Sequence, residues 1–111
     1  MKSDAVYLQH ILDAIDKIES YVTVGRDVFM STSHWQDAVI RQFEIIGEAT
    51  KGLSRKLRSS HPEVIWQRIA GLRDLLIREY FDVDLLALWE LSQTSLPGFK
   101  KQVASILKEL A

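Results

Sequence analysis

The amino-acid sequence predicts an all-α protein, a bundle of four or five helices forming one domain over residues 1–111. Three observations predict it. Apolar residues recur at spacings of three and four through almost the whole chain, the period of helices with one buried face. No strand-type alternation of useful length breaks that period. The length of 111 residues, with 47% hydrophobic and 26% charged residues, is that of one globular domain. A chain of this size buries about two-thirds of its unfolded surface and needs no staples.

The first helix is expected from about Ser3 to Tyr21, with Val6, Ile11, Leu12, Ile15, Ile18 and Val22 as its apolar stripe and Leu8 offset from it. Ser3 and Asp4 are suitable N-cap residues, and Thr23-Val24-Gly25 is a suitable end. Gly25 to Thr32 reads as a connection that packs through Val28, Phe29 and Met30. A second helix then starts at a capping box, Ser33 with Gln36 three residues on, and runs to about Arg58. Gly47 and Gly52 each cost a helix interior about 1 kcal/mol relative to Ala, so close approach of another helix is expected at them.

Ser59-Ser60-His61-Pro62 is a break, and Ser60 with Glu63 repeats the capping-box spacing. The third helix runs from about Trp66 to Ile77, directing Ile69, Leu72, Leu76 and Ile77 inward. Tyr80 to Asp84 reads as a turn in which Asp82 or Asp84 caps a fourth helix, Leu85 to about Gln93. Thr94 to Gly98 interrupts the pattern, and a fifth helix carries Val103, Ile106, Leu107 and Leu110.

Composition excludes several functions. There is no Cys, hence no disulfide scaffold, thiolate metal site or cysteine nucleophile. Fourteen Lys and Arg against fifteen Asp and Glu argue against nonspecific coating of nucleic acid, although a local basic cleft is compatible with that balance. The start of the chain is broken by Gln9, His10, Asp13, Asp16 and Lys17, so neither a signal peptide nor a membrane span is expected, and the chain reads as cytoplasmic. His10, His34 and His61 lack metal-ligand spacing and read as ordinary surface or capping residues. Glu44 and Glu48 share a helix face like half of a di-iron site, but the Glu-x-x-His partners are missing. No metal or cofactor is expected.

The stretch Ile69 to Phe81 is the most informative. Arg73, Ile77 and Tyr80 share one helix face, and Arg68 and Arg78 each stand five residues from Arg73. Three guanidiniums and a phenol near one helix end suit a phosphodiester, because Arg presents a planar donor fork to phosphate. Spacing alone favours a solvated face, with Arg78 balanced by Glu79 or Asp74 and Arg73 by Glu44 or Glu48.

The runs Gln42 to Lys51, Trp66 to Asp74 and Tyr80 to Asp84 resemble those of the HepT-like toxins of the HEPN superfamily, in order and spacing and over essentially the whole chain. The resemblance implies a homodimeric helical bundle acting as a metal-independent endoribonuclease. It also implies the toxin role in a toxin–antitoxin pair whose partner is a minimal nucleotidyltransferase. The family's active segment reads Arg, a polar residue, three further residues, His, one residue, Tyr. Carried over, the Arg is Arg73, the polar residue Asp74 and the Tyr is Tyr80, which is then the candidate acceptor for adenylate groups from the antitoxin. Glu44 and Glu48 are expected to buttress Arg73, and Arg68, Arg73 and Arg78 to bind RNA.

The sequence departs from that pattern at the His position, which Arg78 occupies. Imidazole suits proton transfer near neutral pH, whereas guanidinium stays protonated and cannot act as a base. The expected consequence is an impaired nuclease, or a non-catalytic dimeric module that docks its nucleotidyltransferase. The substitution fits a natural degenerate member and an inactivating change equally well. Dimerisation is also expected from the number of large aromatics, Phe29, Trp35, Phe43, Trp66, Phe81, Trp89 and Phe99, in so small a bundle.

Overall fold

The computed structural model describes residues 3–78 and 83–111; for 73–78 it describes the helix backbone and not the side chains. Within those residues the chain is helical, with no strand. Helix α1 spans Asp4–Tyr21 and passes into a 3₁₀ turn, Val22–Val24. Helices α2 (Arg26–Ser31), α3 (Ser33–Gly52), α4 (Arg55–Ser60), α5 (Trp66–Arg78) and α6 (Leu85–Leu110) follow. Four are long and two have only six residues, so the count exceeds the four or five expected. The 26 residues of α6 span about 39 Å at 1.5 Å each, close to the 41 Å longest extent of the molecule.

Helix α1 begins where expected: Ser3 is its N-cap, accepting from the Val6 N–H at 3.3 Å. Its inward face is Leu8, Ile11, Ala14, Ile15 and Ile18. The stripe is therefore corrected at two positions, because Leu8 is fully buried and Val6 is exposed. Two residues apart on a helix is about 200°, so the two cannot share a face. Gly25 follows with φ of 93°, which an L side chain rarely adopts, and this lets the chain turn directly into α2.

The stretch read as a connection is thus a short core helix. Phe29 in α2 is fully buried with its ring 5.5 Å from Trp89, whereas Val28 and Met30 are exposed. Helix α3 does not use the expected capping box: Thr32 is its N-cap, without a side-chain bond. Gln36 instead donates its amide to the carbonyls of Phe29 (3.0 Å) and Met30 (3.2 Å), satisfying acceptors at the end of α2.

Helix α3 also stops at Gly52, not at Arg58. Leu53 and Ser54 are extended, and Ser54 caps α4 by accepting from the Leu57 N–H at 3.1 Å. Both carboxylate oxygens of Asp4 hold Ser54, one accepting its N–H at 2.8 Å and the other its hydroxyl at 2.7 Å. A tertiary partner thus ends the helix where the apolar period of Leu53 and Leu57, both buried, runs on unbroken.

The box expected at Ser60 and Glu63 is absent: Ser60 is the last residue of α4 and donates to the Lys56 carbonyl. Helix α5 opens at Trp66, whose indole N–H donates to the His61 carbonyl at 3.0 Å. Asp84 caps α6 as expected, accepting from the Ala87 N–H at 3.0 Å. The turn expected at residues 80–82, Asp82 as a cap, and the inward placing of Leu76 and Ile77 lie outside the described residues and side chains.

The fourth and fifth expected helices are one. Helix α6 runs straight through Pro97, whose missing N–H and ring clash cost a helix interior about 3 kcal/mol. Pro97 and Gly98 face solvent, while Leu88, Ser92, Leu96, Val103 and Ile106 form one buried stripe across them. Burying a Leu, Val or Ile side chain is worth roughly 1.5–3 kcal/mol, so continuity of that stripe outweighs the proline.

The core lies where α1 packs against α3 and α6, with α5 on α3. Lys100 ties α6 to α1 through Glu19 at 2.7 Å and Asp16 at 3.1 Å. The hydrogen bonds to Glu19 and then Asp16 hold its ammonium above the usual lysine range. Phe29, Phe43 and Trp66 are buried, and Trp35, Trp89 and Phe99 are half-buried against the core. The described aromatics thus pack within one chain; Phe81 lies outside the described residues. No helix among those residues is long and apolar enough to cross a membrane.

Candidate functional site

Helix α5 carries Arg68 in its first turn and Arg73, Asp74 and Arg78 in its second half. Its long face packs on α3, which fixes where the backbone of that segment lies. Arg68 is exposed. The side chains of Arg73, Asp74 and Arg78 are outside the description, and Tyr80 lies outside the described residues altogether. On the helix, Arg73 and Arg78 are about 7.5 Å apart along the axis and about 140° apart around it.

Glu44 and Glu48 do lie on one side of α3, and both line a cleft of about 630 Å³ between α1 and α3. Tyr7, His10, Arg41, Lys51 and Gly52 share that lining. Glu44 is half-buried and faces the Arg41 guanidinium at 3.6 Å, a helical i,i+3 pair. Glu48 is exposed, and it, Lys51 and Tyr7 each have a partner of their own. The bond expected from these carboxylates to Arg73 involves a side chain outside the description.

Tyr7 and His10 are the cleft residues that sequence reasoning missed. They meet edge to face, ring centroids 6.3 Å apart at 84°. The signal was Gly52: a Cβ there would stand 2.5 Å from the Tyr7 ring, so the glycine is where α1 approaches the end of α3. His10 is half-buried in the lining of that cleft.

The other two histidines have structural partners. His34 is exposed with its ring 4.8 Å from Trp35. His61 follows the last residue of α4 and stands 3.3 Å from Glu63 and 3.6 Å from Glu109. Among the described residues, no three His, Asp or Glu side chains are grouped as metal ligands. The chemistry this arrangement offers is that of guanidinium on one helix: charge and directed hydrogen bonds for phosphate oxygens.

The family model described as ribonuclease HepT-like matches residues 11–106. A Methanocaldococcus jannaschii protein named as a gamma-glutamylcyclotransferase and candidate RNase is 42% identical over 112 residues. That match takes in 99% of this chain but 50% of the relative, so the chain spans about half its length. A candidate RNase of Caldanaerobacter subterraneus subsp. tengcongensis is 39% identical over 110 residues, 98% of each chain. The Thermococcus cleftensis protein named "Probable ribonuclease HepT" is 36% identical over 108 residues, 96% of this chain and 98% of that one. No solved structure matches the chain.

Proposed function

The chain belongs to the ribonuclease HepT-like family, and from that membership we propose that residues 1–111 form one domain of a ribonuclease toxin whose RNA site is the second half of α5. The observation that carries this reading is the placing of Arg73, Asp74 and Arg78 on six consecutive residues of one helix braced by α3. Guanidinium offers a planar donor fork to phosphate, and in this reading Arg73 stabilises charge developing on the phosphodiester oxygens. No metal takes part in this scheme.

Cleavage of RNA by its own 2′-hydroxyl needs a proton taken from that hydroxyl and one given to the leaving oxygen. Arg78 stands where a histidine would do this work, and a guanidinium does not release its proton near neutral pH. The chain therefore binds RNA better than it cuts it. A homodimer that places Arg73 and Arg78 of both copies on one cleft doubles its positive charge. The partner is a minimal nucleotidyltransferase antitoxin that adds adenylate to Tyr80, and both act in the cytoplasm.

The test is cleavage of RNA by the purified protein in EDTA, beside its Arg78→His variant. General acid–base catalysis is worth roughly 10²–10⁴-fold, so the variant should gain about that much. Arg78 in place of His favours a second reading, a non-catalytic module that docks the nucleotidyltransferase, and equal inactivity of both proteins selects it. Equal activity shows that residue 78 does not move the proton.

A further inference from the structure

Positive charge is unevenly placed in this chain. Residues 49–62 hold four of its Lys and Arg (Lys51, Arg55, Lys56 and Arg58) and no Asp or Glu. The remaining residues hold ten Lys and Arg against fifteen Asp and Glu. Three of the four cations lie within α4, a helix of six residues. Leu57 is its buried anchor; Arg55 lies about 200° from Leu57 and is exposed, and Lys56 and Arg58 flank Leu57 on either side. Asp4, the acid nearest the start of α4, has both oxygens engaged by Ser54.

Among the described residues, Arg55, Lys56 and Arg58 make no ion pair, whereas Arg41 and Lys100 do. Arg58 is half-buried, with its Nε shielded from solvent and without a hydrogen-bond acceptor, so Arg55 and Lys56 are the cations that an incoming anion meets first.

On the reading that this chain acts on RNA, we propose that α4 is a second RNA contact, in which Arg55, Lys56 and Arg58 hold the sugar–phosphate backbone of the strand bound by α5. The contact is to phosphates and carries no sequence preference. It supplies affinity to a chain whose net charge of -1 offers none. Single-stranded RNA is the occupant because three cations round one short helix turn match a flexible backbone, and no large apolar side chain is exposed on α4 for an apolar partner.

The experiment measures binding of fluorescent 2′-O-methyl single-stranded RNA, which lacks the hydroxyl that cleavage needs, by anisotropy over a range of salt. The parent is compared with Arg55→Gln/Lys56→Gln, both exposed, and with Lys101→Gln/Lys108→Gln on α6 as a matched loss of charge. The α4 pair should bind roughly tenfold more weakly and lower the slope of log affinity against log salt by about 1.4, from about 0.7 per phosphate contact. The α6 pair should bind as the parent does. Equal weakening by both pairs overturns the proposal in favour of a diffuse field. An unchanged α4 pair with a binding parent overturns it and leaves the RNA reading intact. A parent that binds no RNA removes the RNA reading and this proposal with it.

Discussion

The contact between Tyr7 and Gly52 sets a measurable limit on how α1 and α3 meet. A Cβ at residue 52 would lie 2.5 Å from Tyr7 Cε1 and Cζ and 2.9 Å from Cδ1. Carbon atoms settle at about 3.5–4.0 Å, so the ring or the helix end must withdraw by roughly 1 Å. Overpacking of this kind costs roughly 1–3 kcal/mol. Ala gains back less than the full 1 kcal/mol of helix propensity, because Gly52 is the last residue of α3. Gly52→Ala should therefore lose about 1–2 kcal/mol, read as a lower urea midpoint with an unchanged slope. Removing the ring first should abolish the loss: in a Tyr7→Ala background the same change becomes neutral or stabilising, a coupling of about 1–3 kcal/mol. A Gly52→Ala chain as stable as the parent would refute the close approach and, with it, the shape of the cleft.

Three further outcomes follow from the packing. Phe29→Ala should cost about 3–5 kcal/mol by chemical denaturation, since the ring is fully buried against Trp89; a loss under 1 kcal/mol would return α2 to the status of a linker. Pro97→Ala should raise the melting temperature, regaining up to about 3 kcal/mol of helix stability at an exposed position; no gain would mean that α6 is broken there. Lys100→Met should be less stable than the parent at neutral pH by about 0.2–1 kcal/mol, as exposed bridges are. Because the folded lysine is held above 10.5, the bridge contributes fully below that pH and fades as pH rises through the raised value, so the two melting curves should converge in alkali. Curves that stay parallel to high pH would remove the bridge as the cause.

The presence of the long helices was legible because the three-and-four spacing of Ile11 to Ile18 or of Val103 and Ile106 is itself the record of a buried face, whereas the six residues of α2 are too few to show a period. Helix ends were not. Leu53 and Leu57 keep the period across a break made by Asp4, fifty residues away, and Pro97 announces a break that the stripe of α6 overrides. Gln36 kept its capping-box position but spent its amide on α2. That Arg73, Asp74 and Arg78 fall on one helix was legible because they lie within six consecutive residues of a helical pattern. The cleft of Tyr7 and His10 was not, since it exists only where two helices cross, and the one trace of that crossing in the sequence was Gly52.

The packing of α1 against α6 has a bearing on how the protein folds. Helix α1 packs on α3 and also on α6, and the Lys100 to Glu19 bond spans 81 residues of sequence. Until α6 docks, the face of Leu8, Ile11, Ile15 and Ile18 has only α3 to cover it, an apolar seam left open. Closing that seam is a long-range event, the kind of contact that slows folding relative to pairing within neighbouring helices.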